Sequence, residues 1–148
     1  MTNTMLTLAD LSLDGAIAQL KAAGLTDEAA SRRASNFSRA ANRLVAAGLP
    51  GDTAVRAYFV PGRIEVLGKH TDYAGGRSLL AAVERGFSLV VAPRTDSTIR
   101  AFSHGFDPAE FEFGPDITPT MGEWSNYPMT VARRIARNFP GPLLGADM

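Results

Sequence analysis

Pro61-Gly62-Arg63-Ile64-Glu65-Val66-Leu67-Gly68-Lys69-His70-Thr71-Asp72-Tyr73-Ala74-Gly75-Gly76 is the stretch on which the reading of this chain turns. Between Arg63 and Asp72 it gathers an arginine, a lysine, a histidine and an aspartate, and glycines stand at 62, 68, 75 and 76. A core segment does not concentrate ionisable groups in this way, because burying an unpaired charge costs several kcal/mol. An ordinary solvated loop has no need of glycine at four places, since glycine is called for where φ is positive or where backbone approaches closely. Two readings follow: a shaped polar pocket, or a polar turn joining two strands.

Working outward, the flanks read as strands. Ala54 to Val60 is rich in β-branched and aromatic residues, and Ile64 to Leu67 is a short apolar-leaning strand. Leu79 to Val83, Phe87 to Ala92 and Thr98 to Phe102 follow, with Gly86 and Pro93-Arg94-Thr95-Asp96 expected as turns. Phe111-Glu112-Phe113 alternates like an edge strand, and Gly114 to Met121 reads as a loop. The spacing predicts a helix over 124–138, with Tyr127, Val131 and Ile135 on one stripe, Arg133, Arg134 and Arg137 on others, and Pro128 in the first turn, where a missing N–H is tolerated. The last ten residues, rich in proline and glycine, read as an unsupported tail.

Toward the N-terminus the period changes to helical. Leu13, Ile17 and Leu20 recur at helical spacing and Gly24 ends the pattern. Thr26 before Asp27-Glu28 is an N-cap followed by an acidic first turn. From there to Ala47 one side carries Ala30, Ala34, Phe37, Ala41, Leu44 and Val45, and Gly48 with Pro50 terminates the helix. Arg32, Arg33, Arg39 and Arg43 lie mostly elsewhere, as on the solvated face of an amphipathic helix or on a partner surface. The expected division is a helical extension over 1–50 and a sheet-containing domain over 51–148.

Composition narrows the function classes. The chain has 148 residues, 45% hydrophobic and 20% charged, which suits one globular domain with a core. Fifteen basic and fifteen acidic residues balance, so nothing points to nucleic acid or an anionic membrane as partner. No apolar run approaches the roughly 20 residues that cross a bilayer. Met1 to Leu13 lacks the basic and apolar blocks of a signal peptide. There is no cysteine, which rules out disulfides, thiolate metal sites and cysteine nucleophiles and agrees with a cytoplasmic address. Gly62 to Gly68-Lys69 has five intervening residues where a P-loop has four, and His70 stands where a P-loop has Ser or Thr. No metal-binding spacing is present, and the isolated His104 reads as a loop residue.

The stretch Gly62 to Gly76 resembles the first signature of the galactokinases, within the GHMP group of small-molecule kinases. The galactokinase pattern reads Gly-Arg-Val-Asn-Leu-Ile-Gly-Glu-His-Thr-Asp-Tyr-Asn-Gly-Gly, and His70-Thr71-Asp72-Tyr73 with Gly75-Gly76 carries its most specific part. Trp124-Ser125-Asn126-Tyr127 is similar to the Trp-x-Asn-Tyr start of a galactokinase helix. The resemblance covers roughly residues 50–148. It implies an α+β fold, the GHMP kinase N-terminal domain (ribosomal protein S5 domain 2-like), with a mixed sheet packed by helices. It implies a cytoplasmic kinase that moves the γ-phosphoryl of ATP, with Mg2+, to a sugar hydroxyl. On this resemblance Arg63 is catalytic, orienting a carboxylate and stabilising charge. Lys69, His70, Asp72, Gly75 and Gly76 bind the sugar, and Ser103, Trp124 and Tyr127 line the adenine pocket. The alternatives stay open at this point. His70 is then a buried histidine serving a backbone carbonyl, Asp72 an Asx-turn residue, Arg63 a structural partner of Glu65, and Trp124 and Tyr127 core aromatics.

Two positions depart from the pattern. Lys69 stands where the family has a sugar-binding glutamate, and Glu65 where it has asparagine. Either the two pair, or Lys69 faces the ligand and favours an acceptor or anion on it; both put galactose itself in doubt. The family's second motif, Pro-x-x-x-Gly-Leu-Ser-Ser-Ser, which holds ATP phosphates at a helix N-terminus, is not in this sequence, which stops at Met148 about where it should begin. The expectation is an N-terminal piece of a longer kinase whose partners are the sugar, ATP and the remainder of the chain, and which is inactive alone. The rival is a non-catalytic sugar-binding or regulatory protein on the same scaffold.

Overall fold

A computed structural model describes residues 5–139 and 141–148. Residues 1–4 and Pro140 lie outside the described residues, so the readings of the first four residues and of Pro140 in the expected tail are not addressed by it. Among the described residues the architecture is α+β: three α-helices and a six-stranded mixed sheet.

The helices form where the capping residues place them. Helix α1 spans Leu13–Ala22, with the Ser12 hydroxyl accepting from the Gly15 N–H, and Gly24 follows at φ 95°. Helix α2 spans Asp27–Ala46, capped by the Thr26 hydroxyl accepting from the Ala29 N–H at 3.3 Å, and Gly48 follows at φ 98°. The two helices lie against each other, and α2 packs against β3. Ala30, Ala34, Phe37, Ala41 and Leu44 are buried as expected, whereas Val45 is exposed and Ser38 buried instead. Strand β1 (Leu6–Thr7) pairs with the start of β2 (Ala54–Leu67), and a short turn at Ala9–Leu11 leads into α1. The core joins Leu8, Leu11, Ala16, Phe37 and Leu44 to Val55, Val90 and Ala92 of the sheet. Each large side chain buried there contributes about 1.5–3 kcal/mol.

Strand β3 (Leu79–Pro93) pairs antiparallel with β2 along nearly its whole length. Gly86 is therefore not the turn expected from the sequence. It sits inside β3 opposite Pro61, where an added Cβ would lie 2.2 Å from the Val60 carbonyl oxygen. Glycine stands there because two backbones approach closely, and the register shifts just beyond, between Pro61 and Arg63. The half of the β2–β3 ribbon near Val55 and Val90 packs on the helices. The far half, from Val60 to Leu67 and from Leu79 to Phe87, extends beyond that core and is largely exposed, Ile64, Leu67, Leu79 and Phe87 included.

Strands β4 (Thr98–Ala101) and β5 (Ala109–Glu112) form an antiparallel pair, with β5 on the edge. Helix α3 spans Asn126–Asn138. Its Tyr127–Val131–Ile135 stripe is exposed; the buried side chains are Ala132 and Ala136. Arg137 Nε donates to the Pro115 carbonyl at 2.7 Å and Arg133 to that of Ile117 at 3.4 Å, which ties α3 to the preceding loop.

The expected tail is overturned. Ala146–Asp147 form β6, inserted between β3 and β4, antiparallel to the first and parallel to the second. The ladder continues through Met148, whose N–H donates to the Arg100 carbonyl at 2.9 Å and whose carbonyl accepts from Phe102 N–H at 2.7 Å. The buried Asp147 carboxylate accepts from Arg100 Nε and from Arg94 Nη1, the latter at 3.2 Å. Arg94 also holds Asp96 with two bonds, at 2.7 and 2.6 Å. Two arginine partners offset the cost of burying Asp147 and pin a strand too short to hold itself.

Candidate functional site

The loop between β2 and β3 is built by short-range bonds. Gly68 (φ 86°) turns the chain, and a single 3-10 turn spans Thr71–Ala74, closed by Gly75 at φ 74°. The Thr71 hydroxyl donates to the Gly68 carbonyl at 2.8 Å and lies 3.1 Å from that of Arg77; Ser78 Oγ also donates to Gly68, at 3.0 Å. Gly76 N–H donates to the Thr71 carbonyl at 2.8 Å, and a Cβ on Gly76 would lie 2.8 Å from Thr71 Cβ and O. Gly75 and Gly76 thus serve the backbone, one through its positive φ and one through close approach.

The side chains left over face outward. His70 is exposed, with a left-handed φ of 62°, and its ring stacks on Tyr73 at 5.5 Å between centroids, 11° from parallel. It is not a buried histidine. Asp72 is exposed, and among the described residues its carboxylate has no hydrogen-bond or ion-pair partner. The turn that an Asx interaction would make is instead closed by backbone, Gly75 N–H donating to the Asp72 carbonyl at 3.0 Å. Arg63, Glu65 and Lys69 are exposed too. No ion pair joins Arg63 or Lys69 to Glu65 among the described residues, so neither pairing considered from the sequence is formed. Lys69, His70 and Asp72 are thus exposed on the loop itself, while Arg63 is exposed further down β2, opposite Ala82.

Ser103 and Trp124 lie elsewhere. They line a cleft of about 1040 Å³ bounded by α2, β3, the β4–β5 connection and the residues before α3. Trp124 is half-buried, its indole N–H donating to the Asp107 carbonyl at 3.0 Å and its ring meeting Phe106 at 5.8 Å. Tyr127 does not line the cleft and is exposed, so it is neither beside Ser103 nor a core aromatic. None of the loop residues from Arg63 to Gly76 lines it. Arg39 and Arg43, which do, are among the arginines that the sequence places on a solvated helix face or a partner surface. The helical wheel could show which side they share but not that a wall from residues 102–129 stands opposite.

Comparison with known proteins bears on the loop. A family model described as the galactokinase galactose-binding signature matches residues 50–93. Galactokinase of Actinobacillus pleuropneumoniae serotype 5b is 32% identical over 99 residues, covering 66% of this chain and 26% of that protein. Galactokinase of Lactiplantibacillus plantarum is 38% identical over 85 residues, covering 55% and 22%; that of Chloroflexus aggregans is 35% identical over 100 residues, covering 66% and 25%. The chain is galactokinase-like. The matched stretch of this galactokinase-like chain spans about a quarter of the length of these relatives. The signature covers β2, the loop and β3 and so contains every sugar-site candidate, while Ser103, Trp124 and Tyr127 fall outside it. No helix among the described residues is long and apolar enough to cross a membrane.

Proposed function

We propose that this chain is the sugar-binding part of an ATP-dependent sugar kinase built on the GHMP N-terminal domain. The observation that carries the reading is the loop at the end of the β2–β3 ribbon, where the Lys69, His70 and Asp72 side chains have no hydrogen-bond or ion-pair partner among the described residues. A carboxylate with open lone pairs, as at Asp72, accepts from two neighbouring sugar hydroxyls in charge-assisted bonds. His70 donates or accepts beside it, and its stacking on Tyr73 orients the ring. Gly75 and Gly76 let backbone come close. Arg63 presents a rigid guanidinium fork, which suits it to orient a carboxylate of the complete kinase and stabilise transferring charge.

ATP, when bound, supplies the γ-phosphoryl for the sugar hydroxyl, here taken to be at the anomeric carbon. The cleft lined by Ser103 and Trp124 offers an aromatic wall and a hydroxyl, which fits a nucleobase. Among the described residues no group of three or more His, Asp or Glu side chains is placed to hold a metal ion, so Mg2+ is assigned no ligand here. The partners proposed are a small sugar, ATP and further polypeptide of the kinase, in the cytoplasm.

The test is ATP- and sugar-dependent ADP release by the complete gene product, alongside sugar titration by calorimetry. Turnover is expected. Sugar binding without turnover would replace the kinase with a sugar-binding regulator, and absence of sugar binding would remove both.

A further inference from the structure

Lys69, His70 and Asp72 point away from the β2–β3 loop, and the residue between them points back into it. Of the five residues from Lys69 to Tyr73, Thr71 is the one whose side chain makes a hydrogen bond among the described residues. Its hydroxyl donates to the Gly68 carbonyl at 2.8 Å and lies 3.1 Å from that of Arg77. Its backbone N–H also donates to Gly68, at 3.1 Å, and its carbonyl accepts from Gly76 N–H at 2.8 Å. Thr71 is thus tied to the strand that enters the loop and to the strand that leaves it. The neck around it is tight: a Cβ on Gly68 would lie 2.3 Å from the Arg77 carbonyl oxygen and 3.0 Å from Thr71 Oγ1. Ser78 Oγ adds a second hydroxyl to the Gly68 carbonyl, at 3.0 Å. Asp72 comes next in the chain, and its own carbonyl accepts from Gly75 N–H at 3.0 Å. Its backbone is therefore held on both sides while its carboxylate stays free.

From this we infer that Thr71 is a positioning residue of the sugar site, whose hydroxyl clasps the neck of the loop and so fixes the Asp72 carboxylate in its binding geometry. The assignment rests on the sugar-binding reading of the loop and gives a role to a residue that the reading leaves out. An exposed carboxylate on a slack loop pays the ordering entropy of that loop each time it binds, whereas a clasped loop has paid it on folding. The hydroxyl is the part that matters. Serine keeps the donor, while valine keeps the shape and has none.

The experiment is calorimetric titration of the complete gene product with galactose, glucose, arabinose and galacturonate. Wild type, Thr71→Val, Thr71→Ser and Ser78→Ala are compared, each with Asp72 intact and in an Asp72→Ala background. For the sugar that wild type binds tightest, Thr71→Val should weaken binding about fivefold, and Thr71→Ser should bring it back to within about twofold. In the Asp72→Ala background the cost of Thr71→Val should fall below about twofold, because the group it positions is gone. Thermal melting accompanies every variant. Should Thr71→Val melt too early to titrate, Ser78→Ala, which removes the other hydroxyl from the Gly68 carbonyl, must show the same Asp72-dependent loss or the assignment falls. Unchanged affinity in Thr71→Val overturns the assignment and leaves the sugar reading standing. An equal cost with and without the Asp72 carboxylate makes Thr71 a general fold residue and overturns it as well. Wild type that binds none of the four sugars removes the sugar reading and this assignment together.

Discussion

Asp72 makes no side-chain bond within the described chain, and this separates its contribution to binding from any contribution to folding. Asp72→Ala should leave the thermal midpoint nearly unchanged and weaken sugar binding by about 2–4 kcal/mol, the loss of two charge-assisted bonds. Calorimetry and thermal melting, run together, decide it; early melting with normal affinity would make Asp72 a structural residue. His70 carries the opposite trade. A left-handed φ costs a non-glycine residue about 1 kcal/mol or more, and His70 alone among the described non-glycine residues has one. His70→Gly should raise the midpoint by about 1–4 °C while lowering sugar affinity. Lys69 is the residue at which we propose that substrate choice is decided. An ammonium cannot accept a hydrogen bond, and a site with a mismatched polar group discriminates strongly. On that proposal Lys69, without an ion-pair partner among the described residues, favours a sugar bearing an acceptor or anion where it reaches, so Lys69→Glu in the complete enzyme should shift kcat/KM toward galactose across a panel of hexoses, pentoses and uronic acids. Unchanged ratios in a galactose-preferring wild type would point Lys69 to solvent.

The short strand β6 depends on the cluster beside it. Its bidentate hydrogen bonds with Arg94, helped by Thr98 N–H at 3.1 Å, hold Asp96 down at about 2 against an ordinary 3.8. A carboxylate whose folded value is depressed stabilises the fold above its unfolded value and loses that contribution as pH falls through the folded one. The contribution is thus complete above about pH 5 and is lost as the pH falls through about 2. Asp96→Asn should lower stability at neutral pH and flatten the acid limb between those limits, as followed by urea unfolding at stepped pH; an unaltered slope would show the ion pair to be inert. The helices were legible because caps and stops are local: Thr26, Gly24 and Gly48 mark the ends by their own chemistry. The long ribbon was not. Pro61 and Gly86 each read as a break, and only their position opposite one another, which no single strand's periodicity reveals, makes them one irregularity in a continuous pair. The candidate sugar loop was legible as residues, since its charges and glycines are contiguous, whereas Tyr127's separation from Ser103 was not.

Across the whole molecule, order is graded along the ribbon. Val55 and Val90 are fully buried at one end, and Ile64, Leu67, Leu79 and Leu80 are exposed at the other. Amide exchange in this chain should follow that gradient, with protection at 55 and 90 near the global limit and exchange orders of magnitude faster at 64–67 and 79–82. Uniform protection would mean that the ribbon unfolds only as a unit. The mixed sheet with three helices agrees with the expected α+β class, but its centre was invisible because two residues among prolines and glycines carry no period of their own. That centre also imposes a schedule. β6 lies between β3 and β4, both of which leave the ribosome before it, at about 5–20 residues per second. For some seconds the β4–β5 pair has no seam to join and β3 shows an open edge, the kind of surface that recruits other strands. Misassembly of this protein during synthesis is therefore a race decided at Ala146 and Asp147, and slowing translation between β5 and β6 should cost soluble yield more than slowing it anywhere before β3.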